Sequence, residues 1–364
     1  MVRTLPAEDP AQDTGARPAA SRCALPAWAM EPRVLPSAFD QPSRWPGSLA
    51  NPDLDHMDRG KRHVDRRRRV NDDQFQKVEH GSGFIAALDQ SGGSTPKALE
   101  AYGIDEDRYS DDDEMFALMH AMRSRIIQSP SFDGNHIIGA ILFEDTMDRE
   151  IGGRNSVSYL WDVKRIVPFL KVDKGLAPER DGVQIMSPIP GLAPLLSRAN
   201  ANGVFGTKMR SFIRRASDAG INAVVDQQFE FAQPIMAAGL IPIIEPEIDI
   251  NSPEKGDAEQ MLKANIVKQL AQLGSKQHVI LKLSLPEVGD FYADLVGHPN
   301  VVRVVALSGG YDREEADWRL AANYGVIASF SRALTEGLSV DQSQGEFDAT
   351  LKASIDSIYT SSLT

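Results

Sequence analysis

The chain has 364 residues, of which 42% are hydrophobic and 25% charged, a composition typical of a globular protein with one large or two ordinary domains. Its net charge of −12 argues against nucleic acid or an anionic membrane as the main partner. One cysteine, Cys23, excludes an intramolecular disulfide framework, and 7 histidines without metal-binding spacing disfavour a transition-metal site. No apolar run is long enough to span a bilayer and no signal peptide is recognisable, so we expect a cytoplasmic protein.

Residues 1–70 differ from the rest of the chain in composition. They hold 9 of the 22 prolines, and their 12 basic and 9 acidic residues sum to +3, which leaves −15 for the remainder. We predict a disordered or non-globular extension over this range. A basic interaction arm at 61–70, a targeting peptide and a start near Met57 or Val70 are the alternatives, although nine acidic residues disfavour a transit peptide.

Residues 71–364 alternate between strand-like and helix-like segments. Short apolar runs predict eight strands, at 83–89, 137–143, 166–173, 204–210, 240–248, 279–285, 301–308 and 326–331. Periodic segments predict helices that include 115–126, 221–238, 257–273 and 313–322. Pro234 is expected to kink or end the second of these helices. The pattern predicts an α/β fold, a single (β/α)₈ TIM barrel over residues 71–364. A doubly wound open sheet is the alternative, but no glycine-rich nucleotide motif supports it.

Ionisable residues lie near the ends of the predicted strands, where a barrel of this type carries its active site. They are Asp89, Lys171, Asp173, Lys208, Arg210, Glu245, Glu247 and Lys282. Four strands carry polar residues two positions apart, a spacing that puts both side chains on one face. The neighbouring Val172, Met209, Leu281 and Leu283 would then face the helices. We therefore expect the polar side chains to point into the mouth of the barrel.

Lys282 is the one ionisable residue within the strand-like stretch VILKLSL at 279–285. Burying a charge without a partner costs several kcal/mol in practice, so an inward lysine must be paired or neutral. A lysine amine near other cations in a site of low dielectric can lose its proton and attack a ketone to form a Schiff base. Carboxylates nearby can transfer the protons that this chemistry needs. The sequence predicts this role for Lys282, and a paired structural lysine is the alternative.

Loops of small residues follow three of the predicted strands. The SGG loop at 308–310 and the Ser-Arg pair at 331–332 follow strands seven and eight, the usual phosphate site of TIM barrels. The SGGS loop at 91–94 follows strand one and would face Lys171 and Arg210 if the barrel closes. A substrate with a phosphate at each end would account for all three loops.

Seven strand-end motifs resemble, in order, those of class I fructose-1,6-bisphosphate aldolases, most closely the bacterial branch. The motifs are GFIAALDQSGGSTPK, FLKVDKG, FGTKMRS, IIEPEI, ILKLSLP, VALSGG and ASFSRAL. The resemblance covers roughly residues 70–364. It implies a TIM barrel that cleaves fructose 1,6-bisphosphate reversibly to dihydroxyacetone phosphate and glyceraldehyde 3-phosphate. It also implies a lysine Schiff base with no metal or other cofactor, and it is compatible with a homo-oligomer.

The resemblance implies a role for each residue of the mouth. Lys282 matches the Schiff-base lysine, and Glu245 matches the acid/base that serves Schiff-base formation, with Glu247 as its carboxylate neighbour. Asp89 matches the residue that handles the C4 hydroxyl proton, and Lys208 matches a lysine that stabilises charge. Substrate and phosphate binding fall to Lys171 at the mouth, to Ser308, Gly309, Gly310, Ser331 and Arg332 near the C1 phosphate, and to Ser91, Ser94 and Arg210 near the C6 phosphate.

Two positions depart from the pattern of the animal enzymes. Position 331 is serine where they have glycine. They end in a tyrosine that exchanges the C3 proton, whereas Tyr359 stands five residues before the end of this sequence, which leaves its role open. Two other functions are considered: a Schiff-base or transaldolase-like enzyme acting on another phosphorylated sugar, and a non-catalytic barrel scaffold. A scaffold should have lost one of Lys282, Glu245 or Asp89, and all three are present.

Overall fold

A computed structural model describes residues 71–364, and the predictions made for residues 1–70 lie outside the described residues. Eight parallel strands pair in sequence order around a barrel, which confirms the predicted α/β TIM-barrel fold. The strands are β1 Phe84–Leu88, β2 Ile137–Leu142, β3 Val167–Lys171, β4 Gly206–Ile213, β5 Ile241–Ile248, β6 Val279–Ser284, β7 Val301–Leu307 and β8 Val326–Ala328. Two short antiparallel pairings lie outside the set of eight parallel strands. In one, Glu150–Ile151 pairs with Arg154–Asn155, and in the other, Val183–Gln184 pairs with the end of β4.

Helices lie between and after the barrel strands. Residues 71–80 are helical and precede β1. The later helices are α1 Thr95–Ala101, α2 Asp112–Gln128, α3 Glu144–Asp148, α4 Ser156–Ser158, α5 Leu192–Asn202, α6 Asp218–Ala237, α7 Lys255–Leu270, α8 Ala293–Val296, α9 Arg313–Ala321, α10 Arg332–Thr335 and α11 Gln344–Ser361. Single turns of 3-10 helix cover Gly92–Ser94 and Glu106–Arg108, and a π-helical turn covers Tyr159–Val163. Among the helices of residues 71–364, none combines the length and apolar character needed to cross a membrane.

Alternation along the strands divides the apolar residues into two cores. The inner core fills the barrel and includes Phe169, Ile243 and Ile280. The outer core lies between the strands and the helices. It includes the four residues that the spacing predicted to face the helices: Val172, Met209, Leu281 and Leu283. Fully burying each such side chain contributes about 1.5–3 kcal/mol, so the two cores together fix which face of every strand points inward.

Helix α6 runs through Pro234 to Ala237, so it does not end at this proline, and its last residue lies one position before the predicted 238. The physical reason is position: a proline in the last turn removes one backbone hydrogen bond, whereas one at the centre would interrupt the packed helix. Helix α2 includes the predicted 115–126 and begins at Asp112. The Asp111 side chain accepts a hydrogen bond from the backbone N–H of Glu114, and acidic residues occupy its first turn.

The barrel closes between β1 and β8 by few bonds, because β8 is only three residues long. The backbone N–H of Ala87 donates to the carbonyl of Phe330 at 3.1 Å. Beyond the strands, the Gln90 side-chain amide donates to the Ser331 hydroxyl at 2.7 Å. A side-chain bond thus joins the loops that follow the first and last strands.

Gly206 should tolerate no side chain, because a Cβ there would lie 2.3 Å from the carbonyl oxygen of Ile241 and 2.9 Å from the Phe169 ring. We expect Gly206→Ala to lower the free energy of unfolding by about 1–3 kcal/mol in urea titrations. Gly345→Ala is the matched control, since no atom lies within 4 Å of its added Cβ. The control should be unchanged or more stable by about 1 kcal/mol. Wild-type stability for Gly206→Ala would contradict this packing.

Candidate active site

Four buried ionisable side chains form a continuous row: one directly follows β1, and the others stand on β4, β5 and β6. Lys208 Nζ lies 2.6 Å from Asp89 Oδ2 and 2.8 Å from Glu245 Oε2. Lys282 Nζ lies 2.9 Å from Glu245 Oε1. All four residues are at least nine-tenths buried. We call this row, Asp89–Lys208–Glu245–Lys282, the charge chain.

The strands place the charge chain directly above the inner core. Each of its four residues stands two positions after an inward-facing residue: Ala87, Gly206, Ile243 and Ile280. Three of these four belong to the inner core, and the backbone of Gly206 lies against the Phe169 ring. Because side chains alternate along a strand, the next inward position falls at the mouth, where the polar groups meet. This is the arrangement that the two-residue spacing predicted.

Opposite charges within the chain outweigh the effect of burial. Burial raises the pKa of Asp89, but the ammonium groups of Lys208, Lys282 and Lys171 hold that pKa well below its ordinary value. Burial also raises the pKa of Glu245, and Lys208 and Lys282 bring it below its ordinary value. Burial lowers the pKa of Lys208, whereas Asp89 and Glu245 raise it above the ordinary lysine value. At neutral pH both carboxylates are therefore ionised and Lys208 is protonated.

The loop after β1 lies beside a second group of charges. The Lys171 ammonium donates to the Ser91 hydroxyl at 2.7 Å and lies 3.5 Å from Asp173 Oδ1. Burial and the nearby Lys208 lower the pKa of Lys171, with Asp173 opposing them. Arg210 forms an ion pair with Glu247. A cavity of about 480 Å³ opens here and is lined by Ser91, Gly92, Gly93, Ser94, Phe116, Phe143, Lys171, Asp173, Lys174, Gly175, Leu176 and Arg210.

The loops after β7 and β8 also meet at the mouth. Gly309 and Gly310 have φ values of +64° and +134°, conformations that favour glycine. A Cβ on Gly310 would lie 3.6 Å from Arg332 Nη2, so the glycine backbone runs beside this exposed guanidinium. Ser308 is buried next to the glycines, and Ser331 precedes Arg332. The structure thus brings together the five residues predicted to bind the C1 phosphate.

Tyr359 lies at the opposite end of the barrel from the charge chain. Its ring packs edge-on against His136, with 4.9 Å between ring centroids. His136 immediately precedes β2 and therefore marks the N-terminal end of the strands. In this conformation the Tyr359 ring therefore lies away from the mouth of the barrel.

Gln90 and Arg123 lie next to the site, and sequence analysis missed both. Arg123 is 1% exposed and donates to the Gln90 carbonyl at 2.5 Å and to the Thr146 hydroxyl at 2.8 Å. Burial lowers the pKa of Arg123 to about 10, with Asp89 and Asp145 opposing it. The available signal was spacing: Arg123 stands four residues after the buried Met119, on the apolar side of α2.

A TIM barrel whose mouth holds buried lysines and carboxylates beside a polar cavity has the architecture of an enzyme. The family model "Fructose-bisphosphate aldolase class-I" matches residues 73–288. The chain is 59% identical over 294 residues to fructose-bisphosphate aldolase class 1 of Synechocystis sp., which covers 81% of this chain and 98% of that protein. The chain belongs to the class I fructose-bisphosphate aldolase family.

The predictions of family and of a lyase with fructose-bisphosphate aldolase activity are confirmed. A solved structure supports the fold. It is fructose-bisphosphate aldolase from Plasmodium falciparum in complex with TRAP and a small-molecule inhibitor. The alignment has a TM-score of 0.67 at 21% identity and covers 80% of this chain and 94% of that one.

Removing the Lys208 ammonium group should change how the stability of the fold depends on pH. The lowered pKa values of Asp89 and Glu245 stabilise the fold above their unfolded values of about 3.9 and 4.3, and this stabilisation is lost as the pH falls through the folded values. Lys208→Met should lower the free energy of unfolding by about 3–5 kcal/mol at pH 7. It should also reduce the amount by which that free energy falls as the solution is made acidic. Urea unfolding at pH 7 and in acid measures both effects.

The matched control for this prediction is Lys352→Met. Lys352 forms an exposed ion pair with Asp356, with 61% and 48% of the two side chains accessible. Its loss should change stability by less than about 1 kcal/mol and leave the pH dependence as in the wild type. If Lys208→Met behaved like this control, the account of the charge chain would be wrong.

Proposed function

We propose that Lys282 is the nucleophile of the reaction and that the charge chain moves the protons that the reaction requires. The observation that carries this proposal is the 2.9 Å contact between Lys282 Nζ and Glu245 Oε1 in a buried site. An amine must lose its proton before it attacks a carbonyl carbon, and Glu245 is in position to accept that proton. The family to which the chain belongs forms a lysine Schiff base, which supports this choice of chemistry.

Schiff-base formation follows from these contacts. Glu245 takes a proton from Lys282, and the neutral amine adds to the C2 ketone of the open-chain sugar to give a carbinolamine. Glu245 then returns the proton to the departing C2 hydroxyl, which leaves as water and produces the iminium. Lys208, 2.8 Å from Glu245 Oε2, favours the ionised carboxylate that accepts the first proton and keeps this side chain oriented for both transfers.

Carbon–carbon cleavage uses the other end of the charge chain. Asp89 accepts the C4 hydroxyl proton as the C3–C4 bond breaks, and the bonding electrons move to the iminium to form an enamine. Glyceraldehyde 3-phosphate leaves first. Asp89 releases its proton to solvent and solvent supplies the proton that C3 gains. Addition of water to the resulting iminium then releases dihydroxyacetone phosphate and restores Lys282. Lys208, which lies 2.6 Å from Asp89, stabilises the ionised carboxylate that begins this step.

The two phosphates of the substrate are proposed to bind on opposite sides of the charge chain. Ser308, Gly309, Gly310, Ser331 and Arg332 would hold the C1 phosphate through backbone N–H groups, hydroxyls and one guanidinium. Ser91, Ser94, Lys171 and Arg210 would hold the C6 phosphate in the cavity of about 480 Å³. The cationic groups at both places support this orientation of the substrate.

We further propose that no metal or other cofactor takes part and that the enzyme is cytoplasmic. Both proposals are supported by membership of the glycolytic class I family. Residues 71–364 contain no group of three or more His, Cys, Asp or Glu side chains arranged to hold a metal ion. Activity should therefore be the same after dialysis against EDTA as before it.

Reductive trapping tests the assignment of Lys282. Dihydroxyacetone phosphate with borohydride should give one adduct per chain, mapped to Lys282 by peptide mass spectrometry, together with irreversible loss of activity. Lys282→Arg should give no adduct and no activity, whereas Lys352→Arg should behave as wild type. An adduct on a different lysine, or none, would overturn the mechanism.

Substrates with one or two phosphates test the proposed C6 site. Lys171→Met removes a charge-assisted contact worth about 1.5–3 kcal/mol, so KM for fructose 1,6-bisphosphate should rise about 10- to 100-fold. Fructose 1-phosphate has no C6 phosphate, and its KM should change little. Arg332→Met should raise KM for both substrates. Equal effects of Lys171→Met on the two substrates would contradict the orientation.

A further inference from the structure

Ladder pairing between the two strands that carry Glu245 and Lys282 ends just before these residues. In the described part of the chain, ladder pairing between β5 and β6 consists of Ile243 with Ile280 and Ile244 with Leu281. On its other side, β5 pairs with β4 along its full length. The register of Glu245 against Lys282 is therefore not fixed by a backbone ladder between their own strands.

Beyond the end of this ladder, β5 keeps its pairing with β4 and gains hydrogen bonds from the side chains of Gln228 and Ser284. The backbone N–H of Glu245 donates to Gln228 Oε1 at 3.2 Å. Farther along the strand, the Ser284 hydroxyl donates to the Ile248 carbonyl and accepts from the Ile248 N–H, both at 2.9 Å. Glu245 is thus attached at its backbone to a side chain from the helical layer.

Gln228 lies on α6, directly behind the wall of the barrel, and is fully buried. Its Nε2 donates to the Ser211 hydroxyl at 3.0 Å, and Ser211 belongs to β4. The two bonds fix the orientation of the carboxamide, with its oxygen toward Glu245 and its nitrogen toward β4. A buried carboxamide is costly unless it is paired, so this side chain has one favourable orientation.

We propose that Gln228 is a positioning residue for Glu245. By holding the Glu245 backbone, it sets the distance between the Glu245 carboxylate and the Lys282 amine, on which proton transfer depends. The inference rests on the proposed role of Glu245 in Schiff-base formation. Displacement of a catalytic group by about 1 Å can lower a rate about 100-fold, so loss of this support should slow Schiff-base formation.

The test compares two adjacent glutamines of α6 by single-turnover trapping with dihydroxyacetone phosphate and cyanoborohydride. Gln228→Leu should lower the rate of adduct formation at Lys282 by about tenfold or more, and kcat with it, while KM for fructose 1,6-bisphosphate changes less than about threefold. Gln227→Leu is the matched control, because Gln227 binds the backbone N–H of Met186 at 2.8 Å instead. Its trapping rate should equal that of the wild type.

A second variant tests the inference if Gln228→Leu does not fold. Gln228→Asn keeps a carboxamide but withdraws it by one methylene, and it should also slow trapping without a comparable change in KM. A wild-type trapping rate in the folded Gln228 variant, or an equal loss in Gln227→Leu, would overturn the inference. A different result would overturn the proposed function itself: the absence of an adduct at Lys282 in the wild-type enzyme.

Discussion

The site depends on one buried ammonium group, that of Lys208, which contacts two carboxylates. This group lies 2.6 Å from Asp89 and 2.8 Å from Glu245, and Glu245 in turn contacts Lys282. Alternation of sign lets four charges be buried together, since each lies beside an opposite one. The apolar inner core beneath them and the parallel strands around them keep this row in place. Loss of one member would leave an uncompensated charge in a water-poor site.

The barrel assigns chemistry and binding to different parts of the chain. Three members of the charge chain stand within barrel strands and Asp89 directly follows β1, so the groups that transfer protons are buried and keep their spacing. The proposed C1-phosphate ligands lie on the loops after β7 and β8 and at the start of α10, where glycines with positive φ allow close backbone approach and Arg332 remains exposed. Of the proposed C6-phosphate ligands, Lys171 and Arg210 stand on β3 and β4. Gln90 connects the loops after β1 and β8 through its bond to Ser331. Asp89 and the proposed C1-phosphate loop are thereby linked.

The strands and their inward faces could be predicted because a two-residue spacing is local information. Lys208, Glu245 and Lys282 were found in this way, and the structure places them in contact. The supporting residues could not be predicted, because their partners are distant in sequence: the Gln90 contact spans 241 residues and that of Arg123 spans 33. Gln228 stands four residues after the buried Val224, so helical spacing marks it as inward, but nothing in the sequence indicates that its partner is Glu245, 17 residues away. The place of Tyr359 likewise depends on how α11 packs.

A double-mutant cycle on the rate of Schiff-base trapping tests most directly whether the charge chain acts as one unit. Lys208→Met and Glu245→Gln are measured alone and together, with dihydroxyacetone phosphate and cyanoborohydride. If Lys208 acts on Lys282 through Glu245, the double variant should be about as slow as the slower single variant, with a coupling energy above about 1 kcal/mol. Additive losses would show that the two residues act independently and would contradict the account.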